Sequence, residues 1–208
     1  MAAGGHARSV AGVALRVGYA LGGFIDPRKA GGTLLGRPIL AKVPPDGGRL
    51  SSVYAIGIGD NFRRHLVAER MLATHPLEQF PVIVDPSVVI SQEANIAQGT
   101  VVMAGTVLGV GATVGRFCII NTSCALDHDS TVADYASLAP GVVTGGDVKI
   151  GFRSFVGLGA AIRHGALVGS DTVIGARSYV HTPLPDRVVA YGAPARVVRN
   201  RTPEQTYL

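Results

Sequence analysis

The chain has 208 residues, 47% hydrophobic and 16% charged, with a net charge of +5 and no tryptophan. That balance excludes a disordered chain, and the lack of any run of about eighteen apolar residues excludes a transmembrane helix. The positive charge comes from scattered arginines without interleaved aromatics, so nucleic acid is not the expected partner and a phosphate-bearing small ligand is. His6 and Arg8 interrupt the first apolar residues, so no signal peptide is read. Cys118 and Cys124 read as buried free thiols of a cytoplasmic protein.

Residues 1–80 have no short repeat and read as an α/β unit, half of a Rossmann-like fold. A helix opens at Gly4-Gly5-His6 and runs to about Val17, with Val10, Val13, Ala14 and Val17 on one face. A strand is expected near residues 21–26, ended by Pro27, and an apolar run over 53–58 ends at Gly59. Asp60 then caps a helix to about Thr74, with Leu66, Val67, Arg70 and Met71 in its middle turns. His65 and His75, on or beside that helix, are expected to be solvated. A sheet of this kind places a buried strand of about five residues before the Gly4-Gly5 turn, where only Met1-Ala2-Ala3 stand. The first strand is therefore expected to be missing or shortened.

Residues 81–208 follow a different rule. From Val84 to Val180 every sixth position is aliphatic in sixteen of seventeen cases, and Thr144 alone departs. A period of six fits neither a helix nor an alternating strand. It fits a parallel β-helix, whose short strands wind around one buried core. Four residues after nearly every filler the side chain is small, as at Thr100, Thr106, Cys118, Cys124, Ser130 and Ser154. Glycines directly after the filler, such as Gly109, Gly145 and Gly151, are expected where φ is positive or the bend sharp. Residues 81–86 join the two units, and residues 184–199 close the β-helix with a turn at Gly192-Ala193-Pro194-Ala195-Arg196. No outward interface stripe is evident.

Three hexapeptides make one coil of eighteen residues, so His128, Gly146 and His164 fall in one column with a rise of about 4.8 Å per coil. His128 lies in Asp127-His128-Asp129, where a carboxylate fixes the imidazole tautomer and raises its basicity, as a general base needs. Gly146 leaves a gap beside it with a free N–H suited to an oxyanion. The break in the aliphatic period, at Thr144-Gly145-Gly146-Asp147, falls at the same place. Two other readings stay open here. A γ-type carbonic anhydrase needs three histidines on zinc, and only His181, off the column, is near enough to complete His128 and His164. A β-helix scaffold that binds a nucleotide without turnover needs the acidic histidine to be incidental. Arg153, Arg163 and Arg177 read either as contacts to coenzyme phosphates or as solubilising charge.

Four segments carry a resemblance: Gly4-Gly5-His6-Ala7-Arg8, Gly23-Phe24-Ile25-Asp26, Ile56-Gly57-Ile58-Gly59-Asp60-Asn61, and Ile120-Asn121-Thr122 running on to His128-Asp129. With the closing signature from Ile174-Gly175-Ala176 to Gly192-Ala193-Pro194-Ala195, the chain resembles the sialic acid O-acetyltransferase and nucleotide-amino-sugar N-acetyltransferase family over nearly its whole length. The resemblance implies a left-handed β-helix of hexapeptide repeats and acetyl-CoA-dependent transfer to an amino group of a nucleotide-linked sugar, with no metal. Its closest alternative is O-acetylation of a sialic acid or another sugar.

By position, His128 matches the general base, Asp129 the acid behind it and Asn121 an active-site asparagine. Gly146 matches the glycine whose N–H faces the thioester. Gly4, Gly5, His6, Asp26, Ile56 and Gly57 fall where the sugar nucleotide is bound. Coenzyme A would lie between two β-helices of a homotrimer, near Leu158 and Ala176, and Ser137 stands where some relatives have a second histidine beside the coenzyme. Pro27, in place of a second acid, and His181-Thr182-Pro183, in place of Thr-Lys-Asp, depart from the pattern.

Overall fold

The computed structural model describes residues 3–44 and 52–207. Met1 and Ala2, and with them the place of the expected first strand, lie outside the described residues. Helix α1 (Gly5–Arg16) follows Gly4 as its N-cap and buries Ala7, Val10, Ala11 and Val13. Val17 has left the helix as its C-cap and is exposed. Strands β1 (Phe24–Ile25), β2 (Thr33–Leu34) and β3 (Arg37–Leu40) form a small sheet in which β1 runs parallel and β2 antiparallel to β3. Residues 53–58 form no assigned strand. Gly57 packs so tightly on α1 that a Cβ there would stand 2.7 Å from Ala7 Cα. Helix α2 (Asn61–Leu72) starts as expected, the Asp60 carboxylate accepting from Arg63 N at 2.8 Å.

The inner face of α2 is not wholly apolar, and of Leu66, Val67, Arg70 and Met71 in its middle turns Met71 alone is buried. It buries Asn61, Arg64, Ala68 and Met71, and Leu66 faces solvent. The Arg64 guanidinium is enclosed at 1% exposure and donates to Phe117 O, Tyr135 O, Ile58 O, Asn61 Oδ1 and Ser137 Oγ at 2.7–2.9 Å. One cation thus satisfies carbonyls from the β-helix and from the segment before α2. A buried charge is tolerated because every donor direction is occupied.

Every repeat becomes a two-residue strand, and strands eighteen residues apart pair in parallel: Ile119 faces both Val101 and Ser137. Three sheets of eight, six and five strands enclose one core. The fillers from Val102 to Val180, Thr144 included, are at most 9% exposed. Ile90, in the first coil, is 46% exposed because no coil lies beneath it. The small-residue register is buried too, and its polar atoms close the corners. Thr100, Ser154 and Thr172 hydroxyls donate to carbonyls of Gly115, Gly169 and Pro185 at 2.6–2.7 Å. Cys118 and Cys124 occupy the same register as free, buried thiols, and burial pushes their pKa values up to about 12 and about 11.

The glycines after the fillers serve another purpose than the expected one. Positive φ falls three residues after the filler, at Gly111, Phe117, Asp129, Asp147 and Arg153 among others, and at none of Gly109, Gly145 or Gly151. Those glycines answer to the coil above. A Cβ on Gly145 would stand 2.7 Å from His164 N, and one on Gly109 2.7 Å from His128 N.

Sheet faces differ outside. The eight-stranded sheet is covered: Ile83 and Val101 pack against Val10 and Val13 of α1. At the next corner, α2 lies over the Phe80–Phe117–Tyr135 aromatic stack. The six-stranded sheet presents an open apolar column that the sequence reading missed: Val89, Val107, Val143 and Tyr179 are each more than 40% exposed, with Ala125 and Ala161 between them. An antiparallel hairpin, Val188–Gly192 with Ala195–Asn200, closes the β-helix, and the segment after it returns to α2, where the Tyr207 hydroxyl accepts from Asn61 N at 2.8 Å. No described helix is long and apolar enough to cross a membrane.

Candidate active site

His128 sits at the corner between the six- and five-stranded sheets. Its Nδ1 is 2.8 Å from Asp129 Oδ2, and its backbone N–H donates to Asp127 Oδ1 at 2.8 Å. Asp129 holds the corner's left-handed backbone (φ 58°), which turns its carboxylate back toward the ring it follows. The hydrogen bond that His128 donates to Asp129 raises the His128 pKa above its ordinary value, helped by the charges of Asp127 and Asp147. With Nδ1 held by the carboxylate, Nε2 is the free nitrogen.

Gly146 lies directly above, as the column arithmetic requires. A side chain there would run into the His128 ring, its Cβ 2.9 Å from Cδ2 and nearer still to Nε2 and Cε1. Gly146 O accepts from Gly165 N at 2.9 Å and Asp147 N donates to His128 O at 2.9 Å. The Gly146 N–H donates to no described group of the chain. One coil further, the His164 ring lies 6.1 Å from that of His128, tilted by 45°. Thr144, the one break in the aliphatic series, explains itself here: its Oγ1 accepts from Asp127 N at 3.1 Å inside the coil. An aliphatic residue could not prop the His128 corner in this way.

Asn121, Leu158 and Ala176 stand together at a different corner, between the eight- and six-stranded sheets. Asn121 Oδ1 accepts from Thr122 N at 2.8 Å, and Leu158 O accepts from Arg177 N at 2.8 Å. Within one chain these residues do not meet His128. Ser137 is enclosed under α2, its hydroxyl donating to Asn61 Oδ1 at 2.6 Å and accepting from Arg64, so no part of it is open to a ligand. Arg153 is likewise committed, its guanidinium gripping Asp171 at 2.8–2.9 Å. His65 is not solvated as expected: it bonds Arg153 at 2.9 Å and packs on Tyr135. His181, the third histidine of the zinc alternative, stacks on Tyr179.

In the amino-terminal unit, Asp26 accepts from Ala3 N at 3.0 Å and Arg28 N at 3.1 Å, tying down the segment ahead of α1. Gly4 and Gly5 have open space where a side chain would be. His6 Nε2 is buried without a partner, and burial with the nearby Arg64 charge lowers the His6 pKa to about 4. Ile56 and Gly57 line a largely apolar cavity of about 500 Å³, together with Gly22, Gly23, Ala7 and Phe24.

Comparison with known proteins bears on this architecture. Residues 1–71 match the family model of the PglD N-terminal domain. The acetyltransferase domain of PglB from Neisseria gonorrhoeae is 30% identical, over 95% of this chain and 97% of that one, with a TM-score of 0.85. The same domain in complex with acetyl coenzyme A is also 30% identical, over 95% of this chain and 96% of that one, with a TM-score of 0.85. A histidine-to-alanine mutant of GDP-perosamine N-acetyltransferase from Caulobacter crescentus, in complex with CoA and GDP-perosamine, is 28% identical over 96% of this chain and 95% of that one, with a TM-score of 0.87. No curated protein sequence matches.

The solenoid is thus the left-handed β-helix of the hexapeptide-repeat acyltransferases. The chain belongs to their nucleotide-amino-sugar N-acetyltransferase family and is an acyl-CoA-dependent sugar acetyltransferase.

Proposed function

We propose that the chain transfers the acetyl group of acetyl-CoA to the amino group of a nucleotide-linked amino sugar, with His128 as general base. The observation that carries this reading is the His128 ring, held by Asp129 and lying against Gly146, whose N–H is free among the described residues. The amine attacks the thioester carbonyl and forms the C–N bond while His128 Nε2 takes its proton. The Gly146 N–H receives the developing oxyanion. Collapse breaks the C–S bond, the electron pair leaves on sulfur, and the proton held by His128 ends there. Similarity to enzymes crystallised with CoA and a GDP-linked amino sugar supports both co-substrates.

In this reading residues 1–80 bind the sugar nucleotide and residues 81–208 carry the chemistry. The cavity beside Ile56 and Gly57, and the neighbouring Gly4, Gly5, His6 and Asp26, would receive the nucleotide. The chain would act as a homotrimer. Packing the apolar column of the six-stranded sheet around a threefold axis sets the corner of one subunit against the next corner of its neighbour. Asn121, Leu158 and Ala176 of the partner subunit would then face His128 and Gly146, with coenzyme A in the groove between. That arrangement accounts for the site residues lying at two corners. Ser137 has no place in it. Free thiols and the use of acetyl-CoA fit a cytoplasmic enzyme.

The test is thiol release from acetyl-CoA against a panel of UDP-, dTDP- and GDP-linked amino sugars and free sialic acid, with His128→Ala alongside. Turnover with an amino sugar that is lost in H128A is expected. Turnover only with sialic acid would make the enzyme an O-acetyltransferase, and turnover that survives H128A would remove His128 as the base.

A further inference from the structure

His128 and His164 occupy equivalent places in one column, on either side of Gly146, with rings 6.1 Å apart. Their surroundings differ in kind. Asp127 and Asp129 flank His128, and Asp147 lies within its electrostatic reach. His164 is flanked by Arg163 and Gly165 and, among the described residues, has no carboxylate partner. It is exposed, and among the described residues its ring makes no hydrogen bond or ion pair. A histidine backed by acids is suited to take a proton, whereas one beside an arginine and no acid is suited to donate a hydrogen bond. His128 can therefore act as the base while His164 offers an N–H to the same reacting centre.

Position along the axis separates the two further. The cavity beside Ile56 and Gly57 is lined also by Phe80 and Ile83, at the level of the first coil, so an acceptor held there approaches the column from the His128 side. Leu158 belongs to the same coil as His164, and a threefold axis along the β-helix keeps the partner's Leu158 at nearly the same height. With the partner's Leu158 as a coenzyme contact and Ala176 one coil further on, the coenzyme would reach the column from the His164 side. Resting on the transferase reading given above, we propose that His164 is the leaving-group donor, its ring N–H hydrogen-bonded to the sulfur of coenzyme A as the C–S bond breaks. The electron pair of that bond goes to sulfur, the His164 N–H stabilises the resulting thiolate, and the proton carried by His128 neutralises it.

The sulfur atom itself supplies the test. Binding of coenzyme A and of desulfo-coenzyme A, which lacks only that sulfur, is measured at pH 9 by calorimetry for the parent, His164→Ala and His164→Gln. The parent is expected to prefer coenzyme A, and H164A to weaken it about ten- to a hundredfold, the loss of one hydrogen bond to a charged group, while leaving desulfo-coenzyme A unchanged. H164Q, which keeps an N–H donor, is expected to restore part of the preference. In turnover, H164A is expected to lower kcat with little change in the KM of the amino sugar. Equal weakening of both ligands in H164A, or no weakening of either, overturns the proposal. A parent that binds neither ligand overturns the coenzyme reading itself, and His164 falls with it.

Discussion

Replacing Gly146 by alanine tests the site geometry most directly. The added Cβ would stand 2.9 Å from His128 Cδ2 and closer to Nε2 and Cε1, against an ordinary carbon contact of about 3.5–4.0 Å. The ring must retreat by about 1 Å, and because its Nδ1 edge is held on Asp129 at 2.8 Å, it pivots there and carries Nε2 away from the amine. A displacement of about 1 Å in a catalytic group costs about a hundredfold in rate. The ring is exposed and can yield, so stability should be nearly preserved, with Tm shifted by no more than about 4 °C. Gly145→Ala is the contrasting control: its Cβ meets the backbone of His164 at 2.7 Å, which cannot move aside, so the damage should appear as lost stability. Thiol release and thermal melts on both variants separate the cases. G146A with activity within about threefold of the parent would refute the placement of the reacting centre over this glycine.

Three further outcomes are expected. Because hydrogen bonding to Asp129 raises the His128 pKa, the base becomes competent only as pH climbs past the ordinary histidine value of about 6.5. Asp129→Asn should therefore move the acidic limb of the kcat/KM profile to lower pH while reducing the plateau; an unmoved limb would assign it to another group. His6, with its pKa lowered to about 4 by burial and Arg64, is neutral when folded and protonates more readily when unfolded. Its contribution is full above about pH 6.5 and is lost as pH falls toward 4, a difference of roughly 3 kcal/mol. Urea melts at pH 7 and 4.5 should show His6→Gln losing less stability on acidification than the parent, and equal losses would count against that burial. If the chain forms the proposed homotrimer, Val143→Glu, in the middle of the apolar column, should convert it to monomer in sedimentation velocity and abolish turnover without altering the circular dichroism spectrum. A variant that remains trimeric would remove this face as the interface.

Much of the β-helix was legible because its rule is local. A filler every six residues and a small residue four later need only the sequence, and eighteen-residue arithmetic placed His128 beside Gly146 and His164. The cap at Asp60 was legible for the same reason, its partner Arg63 being three residues away. What escaped depends on contacts far apart in the chain. Arg64 reads as one more helix-surface arginine until Phe117 and Tyr135 carbonyls, 53 and 71 residues on, close around it. Ser137 looked available for the coenzyme until Asn61 and Arg64 claimed its hydroxyl. The glycines after the fillers were noticed but explained by backbone conformation, when the coil above forbids a Cβ. The apolar column on the six-stranded sheet was hidden because its members, Val89, Val107, Ala125, Val143, Ala161 and Tyr179, recur only every eighteenth residue and mix sizes.

The strict pairing of residues eighteen apart turns chain length into a ruler. Inserting one whole coil between Val101 and His128 would leave every strand partnered and the base on the same edge, yet lift it about 4.8 Å farther from α1, which packs on Ile83 and Val101. Inserting six residues would instead rotate it to another edge altogether. The distance between the cavity beside α1 and His128 can therefore change only in whole coils. Such a fold can acquire an acceptor of different length through one in-frame duplication, and loses its chemistry through most other insertions.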